Sequence, residues 1–128
     1  MIGLSDAGAH VTLLCDAGYC TYLLGHWVRE LNAITLEYAV KRLTSEPADF
    51  FDLKGRGRLA VGNNADIAIF DAATVGSPRR GTMTADLPGG GKRLVMPATG
   101  MVHTFVNGAP VYEDGHYTGA MPGEVLRS

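Results

Sequence analysis

Glycine is spread unevenly along this chain, and that unevenness limits the folds open to it. Seventeen glycines fall among 128 residues, concentrated at Gly55 to Gly62, at Gly89 to Gly91 and after Gly108. Glycine weakens helix interiors and punctuates turns. The pattern therefore predicts a helical first half and a turn-rich, strand-bearing second half. A length of 128 residues suits one compact domain, and 46% hydrophobic residues are enough for a core.

Apolar spacing refines this division. Leu23, Leu24, Trp27, Val28 and Leu31 recur at helical intervals and predict an amphipathic helix over residues 21–31. Thr35 reads as the N-cap of a second helix, with Glu37 in its first turn and Leu36, Ala39, Val40 and Leu43 on its apolar stripe. Ser45 reads as the cap of a third, with Glu46 and Pro47 in the opening turn, carrying Phe50 and Phe51 and stopping near Gly55. Beyond Gly62, residues 66–71 form a compact apolar run that predicts a strand. Residues 76–93 mix proline, glycine and charge without a period, and predict a long surface loop. Asn107-Gly108 lies between two strand-like runs and signals a type I′ hairpin. The tail from Thr118 reads as irregular.

The first residues are unusual. Met1 to Leu4 are apolar and lead directly into Ser5-Asp6-Ala7-Gly8-Ala9-His10, like a strand that ends at the mouth of a barrel or α/β sheet. A lone parallel strand that begins at the first residue has nothing before it to pair with, so the chain is expected to be cut from something larger. The net charge of −2 has both signs interspersed, which predicts neither nucleic acid nor a membrane surface as partner. No run approaches the roughly 20 apolar residues of a spanning helix, and no signal peptide is visible. Cys15 and Cys20 make no disulfide framework, so reduced thiols and a cytoplasmic location are expected.

A family resemblance rests on motifs found in order along nearly the whole chain. They are Gly3-Leu4-Ser5-Asp6, His26-Trp27-Val28-Arg29-Glu30, Thr35 to Val40, Thr44-Ser45-Glu46-Pro47-Ala48, Arg58-Leu59, Ala65 to Asp71, Phe105-Val106-Asn107-Gly108 and Thr118-Gly119-Ala120-Met121-Pro122-Gly123. Together they resemble the C-terminal end of amidohydrolase-superfamily enzymes of the N-acyl-D-amino-acid deacylase (D-aminoacylase) branch. The closing Thr-Gly-Ala-X-Pro-Gly run is the part most particular to that branch.

The resemblance implies an α+β piece of a larger metal-dependent hydrolase. Residues 1–58 would be the last strand and helices of a (β/α)8 barrel. Residues 59–128 would be C-terminal strands of a small β-sandwich and a tail. It further implies a small-molecule N-acyl amino acid or related amide as substrate, and one or two divalent metals, usually zinc.

Asp6 is the principal candidate. By spacing alone an Asx turn or helix cap is the commoner role for such a residue. By the resemblance it matches the aspartate ending the eighth barrel strand, as general acid/base and as metal ligand alongside ligands from the missing N-terminal part. A base must take a proton from the attacking water, and the same group can return it to the leaving amine. His10 is a candidate for substrate binding, against the commoner role of a surface histidine. His26, His103 and His116 show no ligand spacing, and Cys15 and Cys20 read as ordinary buried thiols.

Gly89-Gly90-Gly91-Lys92-Arg93 lacks the hydroxyl residue and the following helix of a phosphate loop. Residues 7–28 contain no Arg or Lys, so carboxylate recognition from that loop, implied by the resemblance, has no residue to carry it. No His-X-His pair occurs, and Asp6 alone cannot supply the roughly three ligands of catalytic zinc. The chain by itself is expected to hold no zinc tightly, to be inactive and to self-associate as a homodimer or higher oligomer. The alternative is a non-catalytic, self-associating domain from a truncated gene.

Overall fold

A computed structural model describes Ser5, Ala7, Gly8 and residues 10–13 and 16–126; Asp6 and Cys15 lie outside the described residues. A 3-10 turn, Asp16–Gly18, opens helix α1, Tyr19–Tyr22, which runs straight into a π-helical stretch, Leu23–Glu30. Helices α2, Leu36–Leu43, and α3, Ser45–Phe50, follow. Among the described residues, no helix is long and apolar enough to cross a membrane.

The expected amphipathic helix over residues 21–31 is present, and it is wound largely as a π-helix. The Leu31 N–H donates to the His26 carbonyl at 3.0 Å, the i→i+5 pattern of a π-helix. The predicted stripe faces the core in part: Leu23 and Val28 pack against the buried cluster. Leu24 is buried, whereas Trp27 and Leu31 are 46% and 51% exposed. Gly25 marks where this stretch meets a neighbouring segment. A Cβ there would stand 2.7 Å from the Val75 carbonyl oxygen and 2.9 Å from the Gly76 Cα. The close approach lets Arg29 Nη1 donate to that carbonyl.

Helix α2 starts where its sequence signal places it. Thr35 Oγ1 accepts the Tyr38 N–H at 3.2 Å, and Lys41 and Arg42 sit in the last turn, matching the helix dipole. The cap expected at Ser45 is corrected: Ser45 is the first helical residue, and its predecessor Thr44 makes no side-chain cap. The Thr44 hydroxyl donates instead to the Val40 carbonyl at 2.7 Å, which binds it to the end of α2.

Strands β1, Ile67–Phe70, β4, Met101–Val106, β5, Ala109–Glu113, and β6, His116–Tyr117, form one antiparallel sheet in the order β1-β4-β5-β6. Asn107 and Gly108, with φ of 48° and 80°, turn β4 into β5 as the Asn-Gly signal predicts. The expected loop over residues 76–93 is corrected. It contains β2, Thr82–Leu87, and the start of β3, Gly91–Val95, which pair as a separate two-stranded hairpin. The core lies between helices and the larger sheet. Leu24, Ala39 and Val75 are buried there, with Val28, Val40, Leu43, Phe70 and Met101 packed around them.

Candidate functional site

The loop after Asp6 is described from both sides of that residue. The Ala7 N–H donates to Ser5 Oγ at 3.3 Å, and Gly8 has φ of 102°. His10 also takes a left-handed conformation, with φ of 55°, and its carbonyl accepts the Leu13 N–H at 2.7 Å to close a tight turn. The His10 side chain is exposed, and its ring makes no hydrogen bond to a described residue. The Leu94 N–H then donates to the Val11 carbonyl at 2.8 Å, which joins this loop to β3. Further on, the Gly18 carbonyl accepts hydroxyls from both Thr21, at 3.1 Å, and Ser77, at 3.2 Å.

Two adjoining clefts open along α1 and the π-helical stretch. One, of about 340 Å³, lies at the helix N-terminus between Asp16, Tyr19, Tyr22, Pro78 and Arg79. The other, of about 370 Å³, is lined by Tyr22, His26, Arg29, Glu30, Ser77 and Arg79. His26 Nδ1 and Glu30 Oε2 share a hydrogen bond of 2.7 Å, and the Arg79 guanidinium stands 3.9 Å from the same carboxylate. The bond to His26, assisted by the charges of Arg79 and Arg29, holds the Glu30 carboxyl below the usual range. The His26 ring packs on Tyr22 at 4.9 Å and meets Trp27 edge-on at 5.7 Å. Sequence spacing did not expose this cluster. His26 and Glu30 share a helix at i, i+4, but Arg79 joins them only through the fold.

The other sequence candidates are placed apart. Cys20 is half-buried beside an apolar cleft between the helices and β1. His116 pairs with the Asp114 carbonyl at 3.0 Å. His103 lies on β4 with its Nδ1 buried and unpartnered among the described residues. The glycines at residues 89–91 form a hairpin tip running into strand β3, with no helix after Lys92. Among the described residues, no three His, Cys, Asp or Glu side chains converge as a metal site. The described part thus does not fit a resident zinc on its own.

The described residues thus run from a loop through a helical segment to returning antiparallel strands. The amidohydrolase family description matches residues 1–112, and the chain belongs to that family. It is 39% identical over 123 residues to an N-acyl-D-glutamate deacylase of Alcaligenes xylosoxydans xylosoxydans, covering 96% of this chain and 22% of that protein. A D-aminoacylase of the same organism is 39% identical over 104 residues, covering 81% of this chain and 19% of its own. The chain thus spans about a fifth of the length of the relatives it matches. Among solved structures, a D-aminoacylase mutant in complex with copper chloride superposes with a TM-score of 0.68 at 35% identity, over 87% of this chain and 21% of that one. The N-acyl-D-glutamate deacylase of Bordetella bronchiseptica, complexed with zinc and a phosphonate mimic of the tetrahedral intermediate, gives 0.60 at 35% identity over the same shares.

Proposed function

We propose that this chain is the C-terminal part of an enzyme that hydrolyses the amide of N-acyl-D-amino acids or closely related amides. The observation that carries the reading is the 39% identity to an N-acyl-D-glutamate deacylase across 96% of the chain. Residues 1–58 are read as the end of the barrel and residues 59–128 as sandwich strands and tail. Asp6 is the proton carrier. It takes a proton from the water attacking the carbonyl carbon and delivers it to the nitrogen as the C–N bond breaks. A carboxylate and a free amino acid result. A divalent metal held by residues outside those described would polarise the carbonyl, and Asp6 would complete its ligands. His10, four residues beyond Asp6 in the sequence and exposed, is read as a substrate-binding residue.

The test is Asp6→Asn in the complete enzyme. It keeps the shape of the side chain and removes the base, and kcat is expected to fall by roughly 10²–10⁴. Activity within a few-fold of the parent would overturn the role.

A second reading, self-association of the chain on its own, is favoured by the exposure of Trp27, Leu31, Phe50 and Phe51 and by the outer edge of β1, which pairs with no strand among the described residues. Sedimentation velocity across a wide concentration range is expected to show a dimer or higher oligomer. A sharp monomer at high concentration would remove this reading.

A further inference from the structure

Strand β3 has two edges, and they face different parts of the molecule. One pairs with β2 in the register Thr82 to Val95, Met83 to Leu94 and Thr84 to Arg93. The other meets the loop that follows Asp6, because the Leu94 N–H donates to the Val11 carbonyl at 2.8 Å. Val11 comes five residues after Asp6, so the hairpin grips the chain just beyond the proposed proton carrier.

The hairpin is braced near this grip. Arg93 Nε and Nη2 donate to Asp86 Oδ1 and Oδ2 at 2.8 and 2.7 Å, a two-pronged pair that ties β3 back onto β2. The tip beyond it is built of Pro88, Gly89 and Gly90, and both glycines are left-handed with open space around them. The strand register shifts between Thr84 and Leu87, and the fork ties Asp86 to Arg93 across that irregular stretch. Leu94 is the next residue, and its N–H carries the bond to the loop.

We propose that the β2–β3 hairpin is a positioning element for the loop that follows Asp6, with the Asp86–Arg93 pair as its brace. The inference rests on the reading of Asp6 given above. Neither Asp86 nor Arg93 is a catalytic residue; they act through Leu94, Val11 and the loop. The chemistry is sensitive to such placement, since a shift of about 1 Å in a reacting group costs up to about 100-fold in rate.

The experiment uses the complete enzyme and compares Arg93→Gln, Asp86→Asn and the charge-swapped double variant Asp86→Arg with Arg93→Asp. Each is measured for kcat, KM and folded content by near-UV circular dichroism, with Asp6→Asn in parallel. Both single variants are expected to lose about tenfold or more in kcat with little change in KM and undiminished folded content. The double variant, which restores the fork, is expected to recover most of the loss. A kcat for Arg93→Gln and Asp86→Asn within about twofold of the parent would overturn the proposal. So would a loss matched by an equal fall in folded protein, or failure of the swap to restore rate. If Asp6→Asn abolishes activity while the hairpin variants do not, this inference alone fails. If Asp6→Asn stays active, the reading of Asp6 fails instead.

Discussion

Asp66 and Asn107 join the start of β1 to the turn between β4 and β5: the Asn107 N–H donates to Asp66 Oδ1 at 2.9 Å. Arg56 donates to the other carboxylate oxygen of Asp66 and also reaches Asn107 Oδ1 at 3.3 Å. The Asn107 amide in turn donates to the Pro122 carbonyl at 2.8 Å. Three stretches of chain therefore meet at the Asp66 carboxylate, and a fourth is tied on through Asn107. Asp66→Ala is expected to cost about 1–3 kcal/mol, because it leaves a guanidinium and an N–H without their acceptor. Asp66→Asn, which keeps an acceptor for the N–H, is expected to cost less. Urea unfolding of the two variants checks the ranking, and equal stability of Asp66→Ala and parent would refute it.

Gly100 tests the contact between the β4 entry and the buried loop at Val75. Its φ is 68°, and a Cβ would fall 2.4 Å from the Val75 nitrogen and 2.6 Å from the Thr74 carbonyl carbon. Those neighbours are backbone and cannot swing aside. Gly100→Ala is expected to destabilise by about 1–3 kcal/mol from overpacking, in addition to the strain of its left-handed backbone. Gly115 has a similar φ of 80° with open space around it, so Gly115→Ala carries the strain alone. Thermal melts showing Gly100→Ala no worse than Gly115→Ala would contradict the contact.

Acid should weaken the fold through its exposed carboxylates. Asp71 is held below the usual carboxylate range, first by the Ala73 N–H, then by the Thr74 hydroxyl and the nearby Arg29 charge. Asp49 and Asp86 are lowered by forks from Arg58 and Arg93. In an unfolded chain such groups titrate near pH ~3.9. A carboxyl more acidic when folded favours the fold above that pH, and the contribution disappears as pH falls through the folded value. Stability is therefore expected to decline from about pH 4 downward, and Asp71→Asn should flatten the decline. Denaturant midpoints measured through that range check it; an unchanged slope in Asp71→Asn would exclude Asp71 as a contributor.

Zinc supplies a further check. Among the described residues no three potential ligands converge, so the 128-residue chain is expected to lose zinc on dialysis. Calorimetry giving one-to-one, sub-micromolar binding would contradict this.

What the sequence disclosed depended on whether a local signal agreed with the tertiary outcome. Thr35 announced α2 because an N-cap is a local interaction between a hydroxyl and an N–H three residues on. Asn107-Gly108 announced the β4–β5 turn for a similar reason, since both residues tolerate positive φ. The β2–β3 hairpin is masked in sequence by its proline and glycine. Its alternating Met83, Ala85 and Leu87 were the available signal. The π-helical stretch was not legible, because its winding accompanies the approach of Val75, about fifty residues away. For the site, motif order points to Asp6, whereas the Glu30–Arg79 approach at 3.9 Å exists only in three dimensions.

The π-helical stretch also constrains how this segment tolerates changes in length. Each i→i+5 turn holds one residue more than an α-helical hydrogen-bonded turn, so Leu23–Glu30 contains slack that a deletion would absorb. Removing one residue between Gly25 and Arg29 would let the wide turns tighten to α-helical ones, so the residues after the cut would keep nearly their present facing. Arg29 would still reach the Val75 carbonyl, and Glu30 would stay beside Arg79. A single-codon loss here would change the winding and spare the lateral contacts, whereas the same loss inside α2 would turn everything behind it by roughly 100°.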